Sequence, residues 1–316
     1  MISEKIIVGE GTEYPLNGLL TLPDEAAQSG SADTSGKFPA AVFVHGSGPS
    51  NMDEKIYDNK PFKDLAEGLA ERGIASLRYD KRTFVHGRKM AKDPAGITVR
   101  EETVEDAVLA ADLLRKDPRI DPEKVFIVGH SMGAMLAPRI DAEGGNFRGL
   151  IMLAATPFRL EEVVVRQLSQ AGGKGGLMGA IVKLEDKIFS KKFDGLYEMS
   201  DEEAKKKKFA GSTTLYYFKE MGGKTAVDYL KETGKPALML QGGMDSQVLP
   251  EEDYKLLKQQ LADRPGTEFR FYEKLNHMFM PGIYNDILKA SKEYKVPQHV
   301  APEVIEDIAA FIKKYS

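Results

Sequence analysis

Between Phe38 and Leu153 the chain repeats one pattern: a continuous apolar run, then a stretch with helical spacing, then another apolar run. A strand with one wet face alternates polar and apolar residues, whereas FPAAVFVHG, KVFIVGH and GLIMLAA do not alternate, so both of their faces must be buried. The shorter IASLRYD has the same character. Between these runs lie PFKDLAEGLAERG, with Gly73 placed to terminate it, and the long amphipathic ETVEDAVLAADLLRKD. Strand and helix in alternation predict a parallel sheet with helices on both faces. Two further strands, in SEKIIVGEG and LNGLLTLP, precede this unit, and the Gly/Ser-rich AQSGSADTSGK reads as a solvated loop.

From about Phe158 to Glu232 the alternation stops. Helical patches (LEEVVVRQL, MGAIVKLEDKIF, DEEAKKKKFAG, TTLYYFKEM) are separated by glycine pairs, with no convincing strand. The run Lys205 to Lys208 reads as a solvated helix face. Alternation then resumes with KPALMLQGG, the helix EEDYKLLKQQL, the strand TEFRFYEK and a final helix PEVIEDIAAFIKKY. The expected organisation is one α/β core, residues 1–157 and 232–316, carrying a helical cap insertion at 158–231.

With 316 residues and 42% hydrophobic content the chain can bury a large core. A formal charge of -4 supplies no attraction to phosphate backbones, so nucleic acid is not expected as a partner. The absence of cysteine removes disulfides, thiolate metal sites and a cysteine nucleophile. No apolar stretch has the length of a membrane span or a secretory signal, so the chain, read as complete, is expected to act in the cytoplasm and off the membrane.

The sharpest motif is Gly129-His130-Ser131-Met132-Gly133, set between the buried run KVFIV and the helix-forming AMLAPRI. A tight turn there lifts its central residue above the sheet edge, and flanking glycines relieve the crowding. Ser131 is therefore the candidate nucleophile, and the N-terminus of the following helix favours developing negative charge.

The elbow GHSMG, together with the glycine-rich turn HGSGP after an earlier strand, resembles the α/β-hydrolase fold of serine hydrolases over essentially the whole chain, the insertion standing where that family carries its cap. HGSGP and GGMDSQV resemble bacterial carboxylesterases and dienelactone-hydrolase-like proteins. The resemblance implies that Ser47 and Met132 supply the oxyanion-hole N–H groups, and that His45, Gly46, Gly48, Gly129, His130 and Gly133 support the elbow and the oxyanion loop.

A serine nucleophile needs a base, and there are five histidines. His130 belongs to the elbow, His45 opens the oxyanion turn, and His86 lies in a basic loop, YDKRTFVHGRK, that borders the cleft. His277 directly follows the strand EFRFYEK, whereas His299 has no strand to aim it, so His277 is the expected base. Asp245, after KPALMLQGG, is the expected orienting acid; Asp80, at another strand end but ahead of the serine, is a minor candidate for cleft structure. Thr156 occupies the other position where such folds sometimes place the acid.

Other signals fail. EMGGKT lacks the first glycine of a phosphate-binding loop, with Phe218 in its place, and neither H-E-x-x-H nor G-x-G-x-x-G occurs in context, so no cofactor and no metal is implied. Leu177, Met178, Ile181, Tyr216, Tyr217, Phe218 and Met221 are candidates for an acyl pocket, although most of them are expected to pack the insertion onto the core. The expected activity is hydrolysis of small or medium carboxylic esters through an acyl-enzyme on Ser131. The alternatives are a thioesterase, lactonase or acyltransferase using the same triad, or a non-catalytic ligand-binding member of the fold.

Overall fold

The computed structural model describes residues 1–24, 36–172, 191–211 and 213–316, with backbone only at 168, 171 and 172. Its centre is an eight-stranded sheet built from β1 (Ile2–Val8), β2 (Leu16–Leu22), β3 (Phe38–Val44), β4 (Ala75–Tyr79), β5 (Ile120–His130), β6 (Leu150–Leu153), β9 (Ala237–Gly242) and β10 (Thr267–Tyr272), in the spatial order β1-β2-β4-β3-β5-β6-β9-β10. The first hairpin and the β2–β4 pair are antiparallel, and all other neighbours are parallel. The sheet is thus mostly parallel, as the unalternating runs require.

Burial on both faces is visible residue by residue. Ala40, Val42 and Val44 of β3 join one apolar cluster while Ala41 and Phe43 join the other; β5 divides likewise, with Val125 and Ile127 against Phe126 and Val128. Helices α3 (Glu105–Lys116) and α4 (Met132–Ile140) cover the first face, and α1 (Pro61–Ala70) with the C-terminal helix Pro302–Tyr315 cover the second.

Three local readings are corrected. YDKRTFVHGRK contains a helix, α2 (Arg82–Met90), rather than a loop; Arg82 and Met90 are its buried ends, and the basic residues between them line its wet side. Within 158–231, α5 spans Leu160–Gly172, but a two-stranded hairpin, β7 (Lys208–Ala210) with β8 (Thr213–Thr214), replaces part of the helix expected there. The helix Asp201–Lys206 consequently ends inside the lysine run, and TTLYYFKEM yields only the single turn Tyr216–Lys219. Gly173, Gly175 and Gly176 of the glycine pairs, the pocket candidates Leu177, Met178 and Ile181, the helix MGAIVKLEDKIF, and most of the Gly/Ser-rich loop lie outside the described residues.

Six parallel strands end on one edge of the sheet, and four of these ends deliver candidate site residues: Ser47 after β3, Ser131 after β5, Asp245 after β9 and His277 after β10.

Candidate active site

Ser131 sits at φ 52, ψ -116, a sparsely populated conformation for a non-glycine residue. Its N–H donates to Leu153 O at 2.9 Å, and its carbonyl accepts the Met135 N–H at 3.0 Å, so the strained turn is fixed to β6 on one side and to α4 on the other. The flanking glycines are a steric requirement. A Cβ on Gly129 would stand 2.3 Å from Gly133 O, and one on Gly133 would stand 2.1 Å from Val44 O.

His277 is brought to Asp245 by two loops, with Nδ1 2.7 Å from Asp245 Oδ2. A carboxylate only accepts, so Nδ1 carries a proton and Nε2 is the nitrogen left free to act as a base. Asp245 is fully buried, and each of its oxygens is occupied: Oδ1 takes the Gln247 and Val248 N–H groups at 2.8 and 3.0 Å, and Oδ2 takes Gln241 Nε2 at 3.2 Å besides the imidazole. The His277 loop is folded around Asn276, whose Oδ1 accepts the Met278 and Met280 N–H groups while Nδ2 donates to Glu293.

The loop after β3 is held by side chains from several elements. His45 Nε2 donates to Asn51 O at 3.0 Å with its ring against Phe62 and Tyr79, and burial pushes its pKa down to about 4, so it is neutral. Asp80 Oδ1 accepts the Met52 N–H at 2.8 Å, consistent with a role in cleft structure. Gly46 packs against Ser131 with no room to spare, its N–H donating to Glu54 Oε1 at 2.7 Å and its carbonyl accepting Lys81 Nζ at 2.9 Å. Among the described residues no acceptor meets the Ser47 N–H, and the first N–H groups of α4, starting with Met132, have no intrahelical partner.

His130 is buried behind the serine. Its Nε2 donates to the His277 carbonyl at 2.9 Å and its Nδ1 faces Glu54 Oε2 at 3.0 Å. Burial alone would lower the His130 pKa, but the Glu54 carboxylate outweighs it and holds the value above that of an ordinary histidine; the same pairing keeps Glu54 below an ordinary carboxylate despite its own burial. The pair links the Gly46 N–H to the carbonyl of His277.

The remaining histidines stand apart: His299 is exposed beside Asp64, and His86 on α2 reaches Pro15 O. Thr156 donates to the buried Asp253 and takes no part in the constellation.

Two cavities meet at Ser47 and Pro49. One, of about 180 Å³, is lined by Ser131, His277, His130, Gln247 and Tyr294 among others. The other, of about 490 Å³, is mainly apolar and is lined by Met132, Met90, Ile97, Leu160, Val164, Phe209, Tyr217 and Phe218. Of the residues expected to form an acyl pocket, Tyr217 and Phe218 reach this wall, whereas Tyr216 and Met221 pack against the core. Glu54, Lys81, Glu102 and Gln241 escaped sequence reasoning, since an isolated charged or amide side chain carries no periodic signal of burial.

The chain can be set beside known proteins. Esterase EstD of Thermotoga maritima is 35% identical over 280 residues, covering 89% of this chain but 63% of the esterase, so the chain spans less than two thirds of that relative's length. Est1E from Butyrivibrio proteoclasticus superposes with a TM-score of 0.56 at 16% identity, covering 98% of each chain. Dienelactone hydrolase from Anabaena variabilis does so with a TM-score of 0.55 at 16% identity, covering 99% of this chain and 98% of that one. The profile of the alpha/beta hydrolase family matches residues 41–282, and with the strand order and the strained serine turn between β5 and α4 it identifies the chain as a member of that family.

Proposed function

We propose that the protein is a serine hydrolase of carboxylic esters. The observation that carries this reading is the meeting, in one cavity, of a serine held in a strained strand-to-helix turn and a histidine whose Nδ1 proton is committed to a buried carboxylate. His277 Nε2 takes the Ser131 proton as Oγ attacks the ester carbonyl, and the carbonyl electron pair moves to oxygen, where the Ser47 and Met132 N–H groups receive it. The imidazolium then gives its proton to the leaving alcohol, and water cleaves the acyl-enzyme by the same base. The similarity to Esterase EstD supports the ester as substrate class; thioesters and lactones lie within the same chemistry.

The proton path also assigns the two cavities. The leaving oxygen must meet His277, so the alcohol occupies the cavity of about 180 Å³. The acyl chain then extends past Met132 into the cavity of about 490 Å³, within the span of roughly 300–1,000 Å³ typical of ligand sites. Residues from 158–231 form one side of that wall, which supports reading this segment as a cap. A cytoplasmic site of action belongs to the same proposal, and cell fractionation tests it. A panel of p-nitrophenyl and alkyl esters tests the activity: turnover should rise with acyl length to a medium chain and fall as the alcohol is enlarged. Folded protein that hydrolyses no member of the panel would overturn the reading.

A further inference from the structure

Among the described residues the cations Arg78, Lys81, Arg82 and Arg139 are buried, and of these Lys81 bonds the carbonyl of Gly46 beside Ser131. Lys81 follows β4, is 2% exposed, and places Nζ 2.9 Å from Gly46 O and 2.7 Å from Glu102 Oε1. Gly46 C=O and Ser47 N–H belong to the same peptide group, and the described chain contains no cis peptide bond, so the N–H points away from the carbonyl. The ammonium therefore sits at the negative end of the peptide dipole whose positive end is the Ser47 N–H.

We propose that Lys81 is a positioning residue of the oxyanion site, which polarises and orients the Gly46–Ser47 peptide so that the Ser47 N–H becomes a stronger donor to the developing oxyanion. The inference rests on the serine hydrolase reading above. A hydrogen bond accepted by a carbonyl strengthens the donor at the other end of its amide, and a charged donor in a dry site does so most. The peptide is fixed on its other side as well, because the Gly46 N–H is taken by Glu54. Rotation of this peptide would break the Lys81 contact.

The holder of the cation reaches the substrate cavity. Glu102 is buried, accepts a hydrogen bond from the Tyr217 hydroxyl, and lines the larger cavity with it. Tyr217 also lies 3.8 Å from the sulfur of Met132, the residue supplying the second donor. The wall of the acyl cavity is thereby linked to both halves of the oxyanion site.

The test compares wild type with Lys81→Met and with Lys81→Met/Glu102→Gln, the second removing both charges so that no carboxylate is left buried alone. Thermal unfolding establishes which variants fold, and three quantities are read: kcat and KM for p-nitrophenyl butyrate, and the inhibition constant of an alkyl trifluoromethyl ketone. That ketone forms a hemiketal with Ser131: the Oγ–C bond forms, the carbonyl pair becomes an oxyanion, and the serine proton goes to His277. The expected result in a folded variant is a loss of about tenfold to 10²-fold in kcat, KM within about threefold, and ketone binding weakened in parallel with kcat. Unchanged kcat and ketone binding would overturn the proposal, and so would a loss confined to KM, which would make Lys81 a structural residue only. Wild type that neither turns over the ester nor binds the ketone would instead fail the hydrolase reading itself.

Discussion

Replacing Asp245 by Asn probes the orientation of the base without changing shape. The new amide can lie two ways. With its NH₂ toward Gln247 and Val248 it would face two backbone donors; with its oxygen there it satisfies both, and its NH₂ faces His277 Nδ1 and the single donor Gln241 Nε2. The second arrangement has fewer unmatched donors and prevails. An NH₂ facing Nδ1 requires that nitrogen to accept, which moves the imidazole proton to Nε2 and leaves no lone pair for the Ser131 hydroxyl. The expected loss is about 10⁴ in kcat, equivalent to roughly 5 kcal/mol of transition-state stabilisation, as for the same change in other serine triads. The one unmatched donor should lower stability by about 1–3 kcal/mol. Steady-state hydrolysis of a p-nitrophenyl ester, with urea unfolding of the same preparation, measures both. A variant retaining kcat within about tenfold of wild type would refute Asp245 as the group that sets the tautomer.

Four further outcomes are expected. Gly133→Ala should fail to fold or lose several kcal/mol, because its Cβ would stand 2.1 Å from the Val44 carbonyl oxygen; a thermal melt matching wild type would contradict this. His45 has a folded pKa of about 4 against an ordinary 6.5, so below pH 6.5 the unfolded chain takes a proton that the folded one refuses. Stability should therefore fall as pH drops from 6.5 to 4, by about 3 kcal/mol from this group, and His45→Gln should flatten that limb in urea titrations. Phe218→Ala should enlarge the apolar cavity and shift preference toward longer acyl chains in a kcat/KM series while leaving kcat for short esters near wild type. His299→Ala should leave turnover unchanged, since its ring is exposed beside Asp64 and remote from the constellation.

The legible parts of the site share one property. Ser131, Asp245 and His277 each follow a strand at the same sheet edge; Ser131 and Asp245 stand out as polar against the apolar runs before them, and His277 is marked by its place directly after TEFRFY. The fold was readable for the same reason, since unalternating runs have few other uses in a chain of this composition. The residues that hold the site in shape were not readable. Glu54 and Lys81 lie in DEK and YDKR, strings that look like solvated loop, and only the tertiary approach of the Gly46 peptide shows why their charges are buried. Helix α2 was hidden because RTFVHGRKM mixes Thr83, Val85 and Gly87, poor helix formers, with basic residues, and its two anchors are at its ends. The β7–β8 hairpin was hidden by the opposite bias: Lys205 to Lys208 continues a favourable helical composition, and the chain leaves the helix to pair Lys208 with Thr214.

Every step of the proposed chemistry requires Ser131 to be an activated nucleophile. Intact mass after treatment with a fluorophosphonate, for wild type and for Ser131→Ala, tests this directly. One adduct per wild-type chain and none on the folded variant is the predicted result, whereas an unlabelled folded wild type, or equal labelling of both proteins, would contradict it.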